Sequence, residues 1–112
     1  MEDQPPNPDE PEFRCDVVPR AGSVEVSIAG DLDMATAPDV REALQRASER
    51  GGDVVFDLAR CTFLDSTGLA VIVEANRRAR GAGRRFVLRA PGPRVLQLLD
   101  VTNLREQVEV EL

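Results

Sequence analysis

Val54-Val55-Phe56-Asp57-Leu58, followed by Thr62-Phe63-Leu64-Asp65-Ser66-Thr67-Gly68-Leu69, reads as a buried strand running into the exposed start of a helix. The first run is almost continuously apolar and bounded by polar residues, the pattern of a central strand covered on both faces. The helix is expected to begin near Ser66 and end near Arg80, with Leu69, Ile72 and Val73 toward the core and Gly81-Ala82-Gly83 as its stop. A hydroxyl at that place has two physical readings. Ser66 or Asp65 can cap the helix by accepting from a backbone N–H. A phosphate on Ser66 would also be received there, because the first turn offers unpaired N–H groups and the positive end of the helix dipole.

Toward the N-terminus, Thr36 is placed to cap an earlier helix, with Pro38 in the first turn and Asp39 three residues on. That helix carries the apolar stripe Val40, Ala43, Leu44 and Ala47, an i,i+4 pair of Glu42 and Arg46, and Gly51-Gly52 at its end. Before it, Phe13, Cys15 and Val17 alternate with polar residues, then Val24, Val26 and Ile28 do the same after a turn over Pro19 to Ser23. This is the period of two half-buried strands paired as a hairpin. Residues 1–12 hold Pro5, Pro6, Pro8 and Pro11 together with acids such as Glu2, Asp3, Asp9 and Glu12 and no basic residue, so they read as a mobile tail.

Toward the C-terminus, Phe86-Val87-Leu88 reads as a second central strand and Pro91-Gly92-Pro93 as a turn. Val95, Leu96, Leu98 and Leu99 support a short third helix, and Val108, Val110 and Leu112 alternate like an edge strand. A hairpin followed by strand-helix crossovers implies an α/β fold with a mixed β-sheet of about five strands and helices packed on it. The expected organisation is a tail over 1–12 and a single domain over 13–112.

Composition removes several functions. The chain has no His, and all 14 basic residues are Arg, so there is no Lys. Ser-His and Cys-His dyads, His-ligated zinc, a P-loop lysine and a Schiff base are therefore excluded. Cys15 and Cys61 stand far apart and read as two reduced thiols. A net charge of −6 with no Trp or Tyr argues against a nucleic-acid partner. The basic stretch at Arg77, Arg78, Arg80, Arg84, Arg85 and Arg89 reads as a solvated helix end followed by a strand rim. No run approaches the roughly 18 apolar residues of a membrane span, and a signal peptide is not expected, so the chain reads as cytoplasmic.

Paired acids remain as candidates for chemistry. Asp31 and Asp33 sit in Gly30-Asp31-Leu32-Asp33-Met34-Ala35-Thr36-Ala37-Pro38, where a metal would require them to converge with Asp65. A solvated turn with a recognition surface is the preferred reading, with no metal and no cofactor. An enzyme would have only Asp31, Asp33, Asp57 and Asp65 to work with. Asp57 imitates the strand-borne aspartate of a phospho-receiver domain, but such a domain relies on a lysine. Ser66 also fails as a nucleophile elbow, since Leu64 stands where Gly is required.

Gly30-Asp31-Leu32-Asp33 with Thr36-Ala37-Pro38, the strand Val54 to Leu58, and Phe63-Leu64-Asp65-Ser66-Thr67-Gly68-Leu69 together resemble the STAS-domain family of bacterial anti-sigma factor antagonists. The match covers roughly residues 13–112. The resemblance implies a non-enzymatic switch. Its unmodified form binds an anti-sigma factor that is also a serine kinase, frees the sigma factor, and lets go when the motif serine, here Ser66, is phosphorylated. A phosphatase resets it. Thr67 is an alternative acceptor, and the implied partner surface comprises Asp31, Asp33, Asp65, Ser66, Thr67, Gly68 and Leu69. Members commonly finish with a further amphipathic helix, whereas this sequence ends at Leu112, soon after its last strand. The competing expectation keeps the fold and makes Ser66 a cap only, in a scaffold or transporter-associated STAS module.

Overall fold

A computed structural model describes residues 13–112. The tail expected over 1–12 lies outside the described residues. The elements follow as β1 (Arg14–Arg20), β2 (Ser23–Leu32), α1 (Ala37–Glu49), β3 (Asp53–Leu64), α2 (Ser66–Gly81), β4 (Phe86–Arg89), α3 (Pro93–Val101) and β5 (Glu109–Glu111). They build one five-stranded mixed sheet in the order β1-β2-β3-β4-β5, with β1 antiparallel to β2 and the remaining pairs parallel.

This order determines where the helices go. Each of the three crossovers steps one strand in the same direction, and right-handed connections then place α1, α2 and α3 on one face of the sheet. That face holds the core: Val24, Val26 and Ile28 from β2, Val54, Phe56 and Leu58 from β3, and Phe86 and Leu88 from β4 are all buried. The helices cover them with Val40, Leu44 and Ala47 of α1, Leu69, Val71, Ile72, Ala75 and Ala79 of α2, and Val95 and Leu99 of α3. Phe56 and Phe86 meet at ring centroids 6.4 Å apart.

The expectation of strands covered on both faces is therefore corrected for β3. Its burial alternates, with Val54, Phe56 and Leu58 inward and Val55 and Asp57 toward the uncovered face, so the apolar run conceals a period of two. On that face Arg89 bonds both Glu111 (2.7 Å) and Glu25 (3.3 Å), and Arg85 pairs with Glu109, whose carboxyl it holds below the usual range. These cross-strand pairs make the open face compatible with water. Two alternations also end sooner than their patterns suggested. Val17, on the outer strand, is 36% exposed, and Leu112 is 82% exposed beyond β5, whereas Val108 is buried. No described helix is long and apolar enough to cross a membrane.

Candidate functional site

The carboxyl ends of β2 and β3 run directly into the N-termini of α1 and α2, which brings Asp31, Asp33, Asp65 and Ser66 to one edge of the sheet. Two irregularities shape that edge. Ser27 pairs with Asp57 but Ala29 with Arg60, and Gly30 pairs with Cys61 but Asp31 with Phe63, so β3 carries an extra residue at each step. Asp57 Oδ1 accepts the backbone N–H of Ala59 at 2.8 Å, bracing the first bulge. Gly30, at φ 101°, supplies the left-handed backbone beside the second.

Between β2 and α1 the chain makes a tight turn closed by Asp33. Its Oδ1 accepts from the N–H of Ala35 at 2.9 Å and of Thr36 at 3.2 Å. Thr36 stands at the N-cap position as expected, but its side chain caps nothing ahead of it. The hydroxyl points back, donating to the Asp31 carbonyl at 2.7 Å and accepting from the Asp33 N–H at 3.0 Å. The reason is competition: the preceding turn leaves backbone groups within reach, and a threonine hydroxyl satisfies those as readily as a helix amide.

At the start of α2 the capping residue is Asp65, in extended conformation, whose Oδ1 accepts from Gly68 N–H at 3.1 Å. Ser66 is the first residue of the helix and is exposed, and Thr67 is half-buried. Gly68 and Leu69, expected on the partner surface, are both buried. A Cβ on Gly68 would lie 2.8 Å from Leu64 Cγ, 2.9 Å from Leu32 Cγ and 2.9 Å from the Leu32 carbonyl oxygen. Gly68 is thus what allows the first turn of α2 to sit against the ends of both strands, and Leu69 anchors it from within.

Three exposed groups on this edge escaped the sequence reading. Met34 is 77% exposed at the tip of the β2–α1 turn, and Phe63 is 44% exposed before Leu64. Phe63 borders a cleft of about 170 Å³ that continues over Leu64, Gly92, Pro93 and Val95 at the start of α3. Thr62, the third, donates its hydroxyl to Asp31 Oδ1 at 2.7 Å. Exposed Met and Phe beside a polar turn were the available signal, since isolated apolar side chains there have no core to serve.

Among the described residues no three acidic or cysteine side chains converge to hold a metal ion. Burial pushes the Cys61 thiol upward, and burial followed by the nearby Asp16 and Asp39 pushes the Cys15 thiol up to about 11. Both therefore carry their protons at neutral pH. Of the distant arginines, Arg80 serves structure: it and Asn76 both donate to the Gln107 carbonyl at 3.0 Å, tying α2 to the segment before β5.

A serine at the head of a helix, a mixed five-stranded sheet behind it and an acidic turn beside it define a class of domain, and a family model described as "Mlab, STAS domain" matches residues 16–110. The chain belongs to the STAS-domain family of anti-sigma factor antagonists. The anti-sigma-B factor antagonist of Bacillus subtilis is 32% identical over 98 residues, covering 88% of this chain and 90% of that protein. The solved anti-sigma factor antagonist of Mycobacterium paratuberculosis superposes with a TM-score of 0.74 at 26% identity, covering 94% of this chain and 88% of that one. The Bacillus cell fate determinant SpoIIAA in its phosphorylated form shares the fold with a TM-score of 0.68 at 20% identity, covering 90% of this chain and 92% of that one.

Proposed function

We propose that this chain is a phosphorylation-controlled anti-sigma factor antagonist whose unmodified form binds an anti-sigma factor with serine kinase activity and so frees the sigma factor. Phosphorylation of Ser66 ends that binding, and a phosphoserine phosphatase restores it. The carrying observation is the contrast within one turn: Ser66 is exposed at the first helical position while Asp65 does the capping. Its hydroxyl is thus not needed to hold the helix, and a kinase can reach it. Half-burial makes Thr67 the poorer acceptor.

The switch follows from electrostatics. A phosphate adds about −1.5 to −2 charges at pH 7. Placed on an edge already carrying Asp31, Asp33 and Asp65, it changes the local field from moderately to strongly negative, and a partner docked on that edge must desolvate it. The domain itself tolerates the group, since the first turn of α2 offers backbone N–H donors and the dipole favours an anion. SpoIIAA, a protein of this fold, retains it in a phosphorylated form.

The test uses the anti-sigma factor recovered by pull-down with the unmodified chain. Ser66→Ala should bind it in titration and Ser66→Asp should not, and incubation with that factor and ATP should add one phosphate by intact mass to the wild type alone. Equal binding by both variants, or no mass gain, favours the scaffold reading in which Ser66 only occupies a helix start.

A further inference from the structure

We propose that Thr62 is a positioning residue of the partner surface, fixing the Asp31 carboxylate in the orientation that the partner meets. This inference rests on the reading of the carboxyl edge as the docking face. Thr62 is the residue inserted by the second bulge, between the pairs Gly30 with Cys61 and Asp31 with Phe63. In a regular ladder β3 would present a residue opposite each residue of β2. The bulge leaves Thr62 out of that pairing and turns its side chain toward the β2 end, where it donates to Asp31 Oδ1 at 2.7 Å. Bulges beside functional sites commonly re-aim a side chain in this way.

The bond differs from the others at this edge. Asp33 spends its Oδ1 on two amides of its own turn, and Asp65 spends its Oδ1 on Gly68 N–H, so both carboxylates act within a few residues of themselves. The Thr62 bond joins residues 31 positions apart and crosses from one strand to the next. Asp31 is meanwhile held at its main chain by Thr36, whose hydroxyl donates to the Asp31 carbonyl. With its carbonyl and one carboxylate oxygen both bonded, Asp31 is left with Oδ2 as the carboxylate atom to offer a partner. Preorganisation of this kind removes the rotamer entropy that binding would otherwise cost. Thr62 lies in the exposed part of β3, so the threonine serves orientation rather than the core.

Two measurements on the full chain test this. Amide hydrogen exchange over residues 31–36, without partner, should quicken in Thr62→Val, which keeps the shape and loses the hydroxyl, and remain at the wild-type rate in Thr62→Ser. Titration with the anti-sigma factor used above should show about fivefold weaker binding for Thr62→Val and wild-type binding for Thr62→Ser. In an Asp31→Asn background Thr62→Val should add little, because the hydroxyl acts through the carboxylate. Unchanged exchange in Thr62→Val, a serine variant as weak as valine, or effects that add fully in the double variant would each overturn the proposal. If Asp31→Asn binds like the wild type while Ser66→Asp does not bind, the Thr62 proposal falls and the switch stands. If Ser66→Asp binds like Ser66→Ala, the switch itself falls.

Discussion

The helices α1 and α2 start beside one another at the carboxyl edge of the sheet, one after β2 and one after β3, and their first turns are closed with different economy. At α1, Asp33 and Thr36 form a knot of hydrogen bonds that folds the turn onto itself, and the first helical residue, Ala37, is fully buried. At α2, a single carboxylate bond from Asp65 suffices, and the first helical residue, Ser66, is exposed. The difference is one of division of labour: at α2 the cap and the exposed hydroxyl stand on different residues, so the Ser66 hydroxyl is free of any role in closing the helix start.

The strongest way to break this contrast is at Gly68. Alanine there meets the Leu32 carbonyl oxygen, a backbone atom that cannot simply rotate aside, so α2 must lift from the strand ends. Denaturant unfolding should show a loss of about 3 kcal/mol. A loss near zero would mean that α2 is not seated as described. A smaller effect separates the two caps directly. Asp33→Ala strips acceptors from two amides and should cost about 2 kcal/mol, and Asp65→Ala strips one and should cost about 1 kcal/mol. The reverse ranking in the same unfolding assay would contradict the picture of a knotted turn beside a lightly held one.

The smallest effect is read from alkaline titration, which the composition makes unusually clean. Without Lys or Tyr, the alkaline range is left to the thiols, Cys15 pushed up to about 11 and Cys61 held above the ordinary thiol value of 9.0. Cys15 feels Asp39 in the first turn of α1, and Cys61 feels Asp31. Burial raises both, so the folded state retains protons that the unfolded chain releases. Their contribution to stability is complete below about pH 9 and falls as pH rises above it, that of Cys15 being lost as pH passes about 11. Melting temperature should decline through that window, and Cys15→Ala should flatten most of the decline. An unchanged slope in that variant would place the titration elsewhere.

Much of this architecture was legible in local patterns. The helix stripes, the glycine stops and the strand-helix alternation depend on residues close together in the chain, and the resemblance of the Asp65 to Leu69 segment rests on contiguous residues. What stayed hidden depends on residues brought together by folding. Val55 extends an apolar run although it faces the open side of the sheet, because valine is tolerated there under a cover of ion pairs. Thr36 looked like a forward cap because spacing does not record which way a hydroxyl turns. The Thr62–Asp31 bond exists only because a bulge slips the register between two strands, and no sequence period marks that slip. Gly68 resembled a contact in a motif, yet its requirement comes from Leu32 and Leu64, supplied by two strands.

The order of the strands in space is the order in which they leave the ribosome. Each strand after the first therefore pairs with the strand that precedes it in the chain, β2 with β1 through a hairpin and the others through one helical crossover each. No strand waits for a distant partner, and no finished edge has to reopen to admit a late one. Loop closure at every step is therefore confined to the length of one crossover. The loops around Ser66 thus belong to elements that are neighbours in sequence as well as in space, all of them ahead of β4, α3 and β5 in the chain.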